Sequence, residues 1–249
     1  ATTIPVRTVE RVLDQMGKNL PLDTDVVPLY GDLPREMQDL AIMPSPEGKR
    51  KVVLATSIAE TSLTIDGIRV VIDGGLKRVP RFSPSIGMSR LETVKVTKAS
   101  SVQRSGRAGR LEPGVSIRLW SEGEDKTLRD KNTPEILEAD LTPLALELAV
   151  WGIKDPEELR WIDPPPDTGI AHAGEILTLL EAIDNNGRAT DHGRLIAKLP
   201  LHPRLAHMAV KGKRLGQGNM ACLISALLTE RDIFKPGPGN RDSDIRHRL

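Results

Sequence analysis

Aromatic residues are scarce in this chain of 249 residues, which has three tryptophans, one tyrosine and two phenylalanines. Proteins that hold single-stranded nucleic acid by its bases stack those bases on aromatic side chains, so the shortage argues against that mode of binding. Charge is nearly balanced, with 35 Lys and Arg against 34 Asp and Glu, and no basic field covers the whole molecule. Any nucleic acid would therefore be held locally, by its phosphates and with little sequence preference.

Cysteine is limited to Cys222, which excludes an internal disulfide. Because it lies in an apolar helical run, we predict a buried, unreactive thiol in a reducing compartment. The sequence has no window of 18 apolar residues and opens without a signal-peptide pattern, so we expect a cytoplasmic protein with no membrane partner. Its five histidines show no metal-ligand spacing with cysteines or acids, and we expect no metal site.

The strongest local pattern is A-S-S-V-Q-R-S-G-R-A-G-R at 99–110. At helical pitch, Gln103, Arg107 and Arg110 would fall on one face. The glycines beside them, Gly106 included, let a phosphate or a second domain approach the backbone closely. A guanidinium grips phosphate oxygens with two parallel bonds and stabilises the charge of a transferring phosphoryl group. The alternative is a glycine-rich basic turn on the surface.

A second pattern, A-T-S-I-A-E-T-S-L-T-I-D-G, occupies 55–67 after an apolar run that indicates a parallel strand. Ligands of parallel sheets bind beyond the carboxyl ends of the strands, where Thr56 and Ser57 stand. The helix that begins near Ala59 adds unpaired backbone N–H groups, so hydroxyls and amides together would make an anion site. The alternative is that the hydroxyls of this stretch only cap turns and a helix.

In this order and separation, the two patterns resemble motifs V and VI of the DEAH-box helicases of superfamily 2. The resemblance runs from about Leu29 to the C-terminus, and L-E-P-G, W-G-I-K-D-P and R-D-S-D-I-R are most similar to bacterial HrpB-type members. It implies an α/β fold of the P-loop NTPase class: the second RecA-like lobe with its parallel sheet, then a mostly α winged-helix domain, then the start of a helical bundle called the ratchet.

The order of elements agrees with that architecture. Alternating helical and apolar segments predict a doubly wound parallel sheet, with strands near 26–29, 51–56, 68–73 and 115–120 and helices at 6–16 and 34–42. We expect the lobe to span 1–122, a winged-helix-like domain 123–200, and a truncated ratchet domain 201–249. The polar stretch that begins at Ser121 indicates a linker.

Residues 77–97, between the two motifs, alternate around F-S-P-S-I-G and predict a hairpin with its turn near 85–87. In DEAH-box helicases a hairpin in this interval is thought to act as a wedge where strands part. The resemblance therefore implies contacts between nucleic acid and the basic residues here, Arg90 and Lys98 among them. Solvated hairpin charge is an equally good alternative.

The resemblance also implies roles within the first motif. Thr56 would touch the backbone of the bound strand, with Ser57 and Thr61 beside it. Ser62 would sense the terminal phosphate of the nucleotide. Asp66 would lie near the ribose.

In the second motif, Arg107 and Arg110 would contact the γ-phosphate when two lobes close, Gln103 would position the attacking water or the phosphate, and Gly106 would lie close to the nucleotide. The chain contains no G-x-x-x-x-G-K-[ST] loop to cradle phosphates and no D-E-x-H motif to hold magnesium. The other wall of the site, with ATP and most contacts to Mg²⁺, would belong to the first RecA-like lobe of a longer chain.

We therefore expect the C-terminal half of an ATP-dependent RNA helicase, which is inactive by itself. The prediction that the substrate is RNA rests on the resemblance alone, and DNA is an open alternative. A non-catalytic adaptor that kept the lobe and lost the chemistry is the alternative from another class. An intact phosphate loop and acidic motif upstream would favour the enzyme.

Overall fold

The computed structural model describes residues 11, 21, 23–31, 33–61, 65–83, 87–110, 112–230 and 244–248, the side chain of Thr61 excepted. The helix predicted at 6–16 lies outside these ranges, apart from Arg11. The chain divides into two compact units, Ala1–Thr133 and Pro134–Leu249. Residues 123–133, predicted to open the second domain, therefore belong with the first unit. The further boundary at 200 stays a prediction.

The first unit contains two parallel strand pairs and a hairpin. Its strands are β1 (Thr24–Leu29), β2 (Arg50–Ala55), β3 (Val70–Asp73), β4 (Leu76–Ser83), β5 (Met88–Lys95) and β6 (Val115–Arg118). β1 pairs with β2 and β3 pairs with β6, both in parallel. The parallel arrangement predicted from the apolar runs is confirmed. Within the described residues the parallel strands form two ladders, not one continuous sheet.

The predicted hairpin is confirmed by β4 and β5, which pair antiparallel from Leu76 opposite Lys95 to Ser83 opposite Met88. Its turn at 84–86 lies outside the described residues. Gly87 comes next with φ 61°, a left-handed conformation that glycine adopts without steric cost.

The helices of the first unit are α1 (Arg35–Ile42), α2 (Ile58–Thr61), α3 (Lys98–Ser105) and α4 (Glu122–Thr127). α1 confirms the helix predicted at 34–42. The prediction of a linker after Ser121 was wrong, because that stretch folds as α4. The Ser121 side chain accepts from the Glu124 N–H, and the Glu124 carboxylate accepts from the Ser121 N–H in return. Two otherwise unpaired donors are thereby satisfied, which starts the helix in a polar sequence.

The second unit is helical, with α5 (Thr142–Trp151), α6 (Asp167–Leu179), α7 (Asp191–Ala197), α8 (Pro203–Arg214) and α9 (Gly218–Thr229). Gly152 ends α5 at φ 84°, and the Thr190 hydroxyl caps α7 by accepting from the Gly193 N–H. The core consists of Leu146, Leu177, Ala182, Ile196 and Ala206.

Cys222 is exposed on α9, so the prediction of a buried thiol was wrong. This helix buries Ala221 and Ser225, which lie four residues apart on one face. Cys222 projects from the other side with Leu223, which is 51% exposed. In the part of the chain that the structure describes, no helix is both long and apolar enough to cross a bilayer.

Asp140 joins the first turns of α5 and α8. One carboxylate oxygen accepts from the backbone N–H of Thr142 at 2.9 Å and from its hydroxyl at 2.6 Å. The other oxygen lies 2.9 Å from Nε2 of His202. Burial alone would raise the pKa of Asp140, but hydrogen bonds from His202 and Thr142 outweigh it and lower the pKa to about 2, from 3.8.

Asp140→Asn is expected to lower the free energy of unfolding by about 2 kcal/mol at neutral pH. A lowered carboxylate pKa stabilises the folded state above the unfolded value of 3.8 and loses that effect as the pH falls towards 2. The difference between wild type and variant should therefore shrink by about half near pH 3. Urea denaturation at a series of pH values measures it. Asp191→Asn, whose side chain is exposed, serves as the control; a difference that does not change with pH would contradict the prediction.

Candidate functional site

The first predicted motif begins at the carboxyl end of a parallel strand pair, as expected. The backbone N–H of Thr56, directly after β2, donates to the carbonyl of Leu29 at the end of β1, at 3.0 Å. The N–H of Ala59 then donates to the carbonyl of Thr56 at 3.2 Å, which turns the chain into α2. Thr56 is half-buried and Ser57 is exposed, so the Ser57 hydroxyl is open to solvent at this edge.

The rest of this motif is described only in part. Glu60 is buried in α2, and Asp66 is exposed in the turn that precedes β3. Ser62, the predicted phosphate sensor, and the side chain of Thr61 lie outside the described residues. The roles predicted for these positions therefore stay predictions.

The second predicted motif is a helix followed by a turn. α3 ends at Ser105, and the N–H of Gly106 donates to the carbonyl of Val102 at 2.9 Å to close the last turn. The expectation that one helical face carries Gln103 and both arginines was wrong, because Arg107 and Arg110 come after the helix end. Gln103 alone is helical, and its side chain is exposed.

Arg104, which the sequence did not single out, is held by two carboxylates. Its Nε donates to Glu60 at 3.1 Å and its Nη1 to Asp73 at 2.8 Å. The side chains of Arg104, Glu60 and Asp73 are only 17%, 9% and 2% exposed. This buried cluster, the Glu60–Arg104–Asp73 triad, ties together α2, α3 and the end of β3.

A signal for Arg104 was present in the sequence. Ser100 and Ser101 precede it by four and three residues and are buried on the same helical face. Small side chains at that spacing indicate close packing, and a charged residue continuing such a face needs a buried partner. The sequence does not say which carboxylate that partner is.

Arg107 and Arg110 form a positively charged pair at the turn. The Arg107 side chain is half-buried and donates through Nη2 to the backbone carbonyl of Glu60. Burial, and then the charge of Arg110, lower the pKa of Arg107, while Glu60 opposes the shift. A guanidinium remains protonated at neutral pH all the same. Two neighbouring cations, one of them exposed, favour an anion between them.

Two glycines shape this turn. The backbone N–H of Gly106 already donates to the Val102 carbonyl at the end of the helix. Gly106 can therefore let a ligand approach the backbone closely, but it does not offer that ligand an N–H donor. A Cβ at Gly114 would lie 1.8 Å from the carbonyl of Ala108. Only glycine therefore lets the start of β6 pack against the arginine turn. This accounts for the glycine of L-E-P-G.

The basic residues predicted to bind nucleic acid are engaged in separate ion pairs. Arg90 on β5 pairs with Glu92 at 3.1 Å, and Lys98 at the start of α3 pairs with Asp130 at 2.8 Å. The hydrogen bond and charge of Asp130 raise the pKa of the Lys98 ammonium. Exposed ion pairs contribute little to stability, so a phosphate would displace these carboxylates at little cost.

The arrangement as a whole is suited to an anion. Its central groups are the guanidiniums of Arg107 and Arg110, and Arg107 is joined to α2 through the Glu60 carbonyl. Among the residues that the structure describes, no cluster of three or more His, Cys, Asp or Glu side chains could hold a metal ion. The arginine pair of the described residues thus fits the phosphate groups of a nucleotide.

Comparisons with known proteins identify helicases as relatives of this chain. Residues 2–112 match the helicase conserved C-terminal domain. Over 240 residues the chain is 43% identical to the ATP-dependent RNA helicase HrpB of Escherichia coli strain K12, covering 96% of this chain and 29% of that protein. Over 246 residues it is 35% identical to the probable ATP-dependent RNA helicase DHR2 of Saccharomyces cerevisiae, covering 98% and 34%.

Solved structures agree as well. A crystal structure of the E. coli DExH-box NTPase HrpB matches at a TM-score of 0.82 and 43% identity, over 91% of this chain and 28% of that one. A second, of the E. coli DEAH/RHA helicase HrpB, matches at 0.86 and 42% identity, over 97% and 30%.

The class of the first unit is therefore a RecA-like helicase lobe, which confirms the predicted α/β fold. The comparisons support a DEAH-box helicase of the HrpB type, in the region that corresponds to the C-terminal lobe of those proteins and the residues after it. It spans between 29% and 34% of the length of the curated relatives it matches.

Proposed function

We propose that the protein containing this chain is an ATP-dependent RNA helicase of the cytoplasm, which couples ATP hydrolysis to movement along RNA or to its unwinding. The observation that carries the proposal is the junction of the two motifs at Glu60. That residue lies four positions after Thr56 and binds the side chains of Arg104 and Arg107. A stretch suited to a nucleic-acid strand is thereby joined directly to an arginine pair suited to a phosphate.

Arg107 and Arg110 are proposed to contact the γ-phosphate of ATP when a first RecA-like lobe closes on this one. Gln103 would position the attacking water or the phosphate, and Gly106 would let the nucleotide approach the turn. Ser62 would sense the terminal phosphate and Asp66 the ribose. Magnesium would neutralise the phosphate charge and would be held mainly by the other lobe.

The RNA backbone is proposed to lie along Thr56, Ser57 and Thr61, and to reach Arg90 and Lys98 at the hairpin side. The exposed Ser57 and the weak ion pairs of the two basic residues support this path. Contacts to phosphates would give little sequence preference.

The second unit is proposed to contain a winged-helix domain followed by the start of the ratchet bundle. Ile183 and Ala189 form an antiparallel bridge across the turn between α6 and α7. This single bridge, in a turn between two helices, supports the presence of a wing. The domain would begin near Pro134, where the second compact unit starts, and not at 123.

ATPase activity of the full-length protein, measured with single-stranded RNA, with DNA of the same sequence and with neither, tests the proposed function. We expect hydrolysis that RNA stimulates more than DNA does. Stimulation by DNA alone would instead indicate a DNA helicase. Absence of hydrolysis under all three conditions would contradict the enzyme and favour a non-catalytic adaptor.

A further inference from the structure

We infer that Glu60 is a positioning residue for Arg107, and that through it the arginine turn is coupled to the strand-binding stretch at Thr56. The inference rests on the proposed function. It concerns a residue for which the sequence suggested no role beyond a favourable charge in the first turn of a helix.

Glu60 is bound from two sides. Its carboxylate accepts from Nε of Arg104 at 3.1 Å, and its backbone carbonyl accepts from Nη2 of Arg107. One residue therefore holds both the buried arginine of the motif and the arginine proposed to reach the nucleotide. The Arg107 guanidinium is oriented before any phosphate arrives, which reduces the reorganisation needed during reaction.

The Arg104 side of this junction is rigid. The Nη1 of Arg104 donates to Asp73 at 2.8 Å, and the same Asp73 oxygen accepts from the Gly75 N–H at 2.9 Å. Arg104 binds both carboxylates, and the Asp73 side chain is only 2% exposed. Arg104 therefore anchors the Glu60 carboxylate to the end of β3. Leaving that position would separate charges in a buried environment, which is strongly unfavourable.

Only a short stretch of backbone connects Thr56 to Glu60. The Ala59 N–H donates to the Thr56 carbonyl and the Glu60 N–H to the Ser57 carbonyl, at 3.2 and 3.0 Å. A single turn of backbone thus separates the proposed strand contact from the carbonyl that holds Arg107. A displacement of Thr56 by a bound phosphate would shift that carbonyl and change the orientation of the guanidinium.

A double-mutant cycle in the full-length protein tests this coupling. It compares wild type, Glu60→Gln, Arg107→Lys and the double variant in RNA-stimulated ATP hydrolysis. Glutamine keeps the size of the side chain and loses its charge, and lysine leaves a measurable rate. We expect Glu60→Gln to lower kcat about tenfold with little change in KM for ATP, and to have no further effect once Arg107 is replaced.

Glu124→Gln is the matched control. Glu124 lies in the same unit, and its carboxylate binds Lys95 at 3.1 Å and the Ser121 N–H, in contrast to Glu60, which binds Arg104 and Arg107. It should leave kcat and KM unchanged. Should Glu60→Gln fail to fold, as judged by its melting temperature, Glu60→Asp replaces it in the same cycle, since it keeps the charge and shortens the reach.

The possible outcomes separate the two proposals. If the wild-type protein hydrolyses ATP and Glu60→Gln lowers kcat by the same factor with either residue at 107, Glu60 acts independently of Arg107 and the inference is overturned. An unchanged kcat in Glu60→Gln overturns it too. If the wild-type protein does not hydrolyse ATP with RNA or DNA, the proposed function fails first and the inference with it.

Discussion

Arg107→Ala in the full-length protein is expected to lower the rate of ATP hydrolysis by about three to five orders of magnitude. The guanidinium is half-buried, oriented by the Glu60 carbonyl and close to the charge of Arg110. Such a preorganised cation stabilises charge that develops on the phosphoryl group, and alanine removes it entirely. The measurement is single-turnover hydrolysis with saturating ATP and RNA.

RNA affinity of the same variant should change little, because the Arg107 side chain binds the Glu60 carbonyl and is not among the residues proposed to hold RNA. Fluorescence anisotropy with labelled RNA, without nucleotide, checks this. Arg118→Ala is the control, since Arg118 at the end of β6 pairs with Asp125 at 3.1 Å and lies outside both motifs. Normal turnover in Arg107→Ala would end its assignment as the arginine that contacts the γ-phosphate.

Arg104→Ala is expected to destabilise the first unit by about 3–5 kcal/mol, the usual cost of breaking a buried charge pair by removing one partner. The substitution leaves the carboxylates of Glu60 and Asp73 buried without their common cation. Because a domain is stable by only about 5–15 kcal/mol, this is a large fraction of the total. Urea denaturation followed by circular dichroism measures the loss.

Arg50→Ala provides the contrast for that experiment. Arg50 also pairs with an aspartate, Asp23, at 3.5 Å, but its side chain is 70% exposed. Its loss should cost under about 1 kcal/mol. Equal costs for the two variants would mean that the Glu60–Arg104–Asp73 triad contributes no more than a surface pair.

Local patterns account for much of the secondary structure. Glycine at 152 ends a helix because it adopts a left-handed conformation, and threonine at 190 starts one because its hydroxyl accepts a backbone N–H. The alternation on either side of the turn near Gly87 predicted the hairpin. In each case the physical cause lies within a few residues of the position concerned.

The predictions that were wrong concern features that depend on contacts within the folded structure. Cys222 lies in an apolar run, but its exposure depends on which side of α9 has packing partners. The stretch after Ser121 is polar enough for a linker, yet a capping box folds it into a helix and Asn132 accepts from the Thr97 hydroxyl. Composition does not report such contacts.

The sequence by itself determined the family, the parallel lobe and the two motifs that make up the candidate site. Only the tertiary structure decided what each arginine of the second motif does. Arg104 is buried because Glu60 and Asp73, 44 and 31 positions away along the chain, meet it at the end of β3. Arg107 is oriented by a carbonyl 47 positions away. The side chains are chemically identical, so their separate roles depend on long-range contacts that no local pattern encodes.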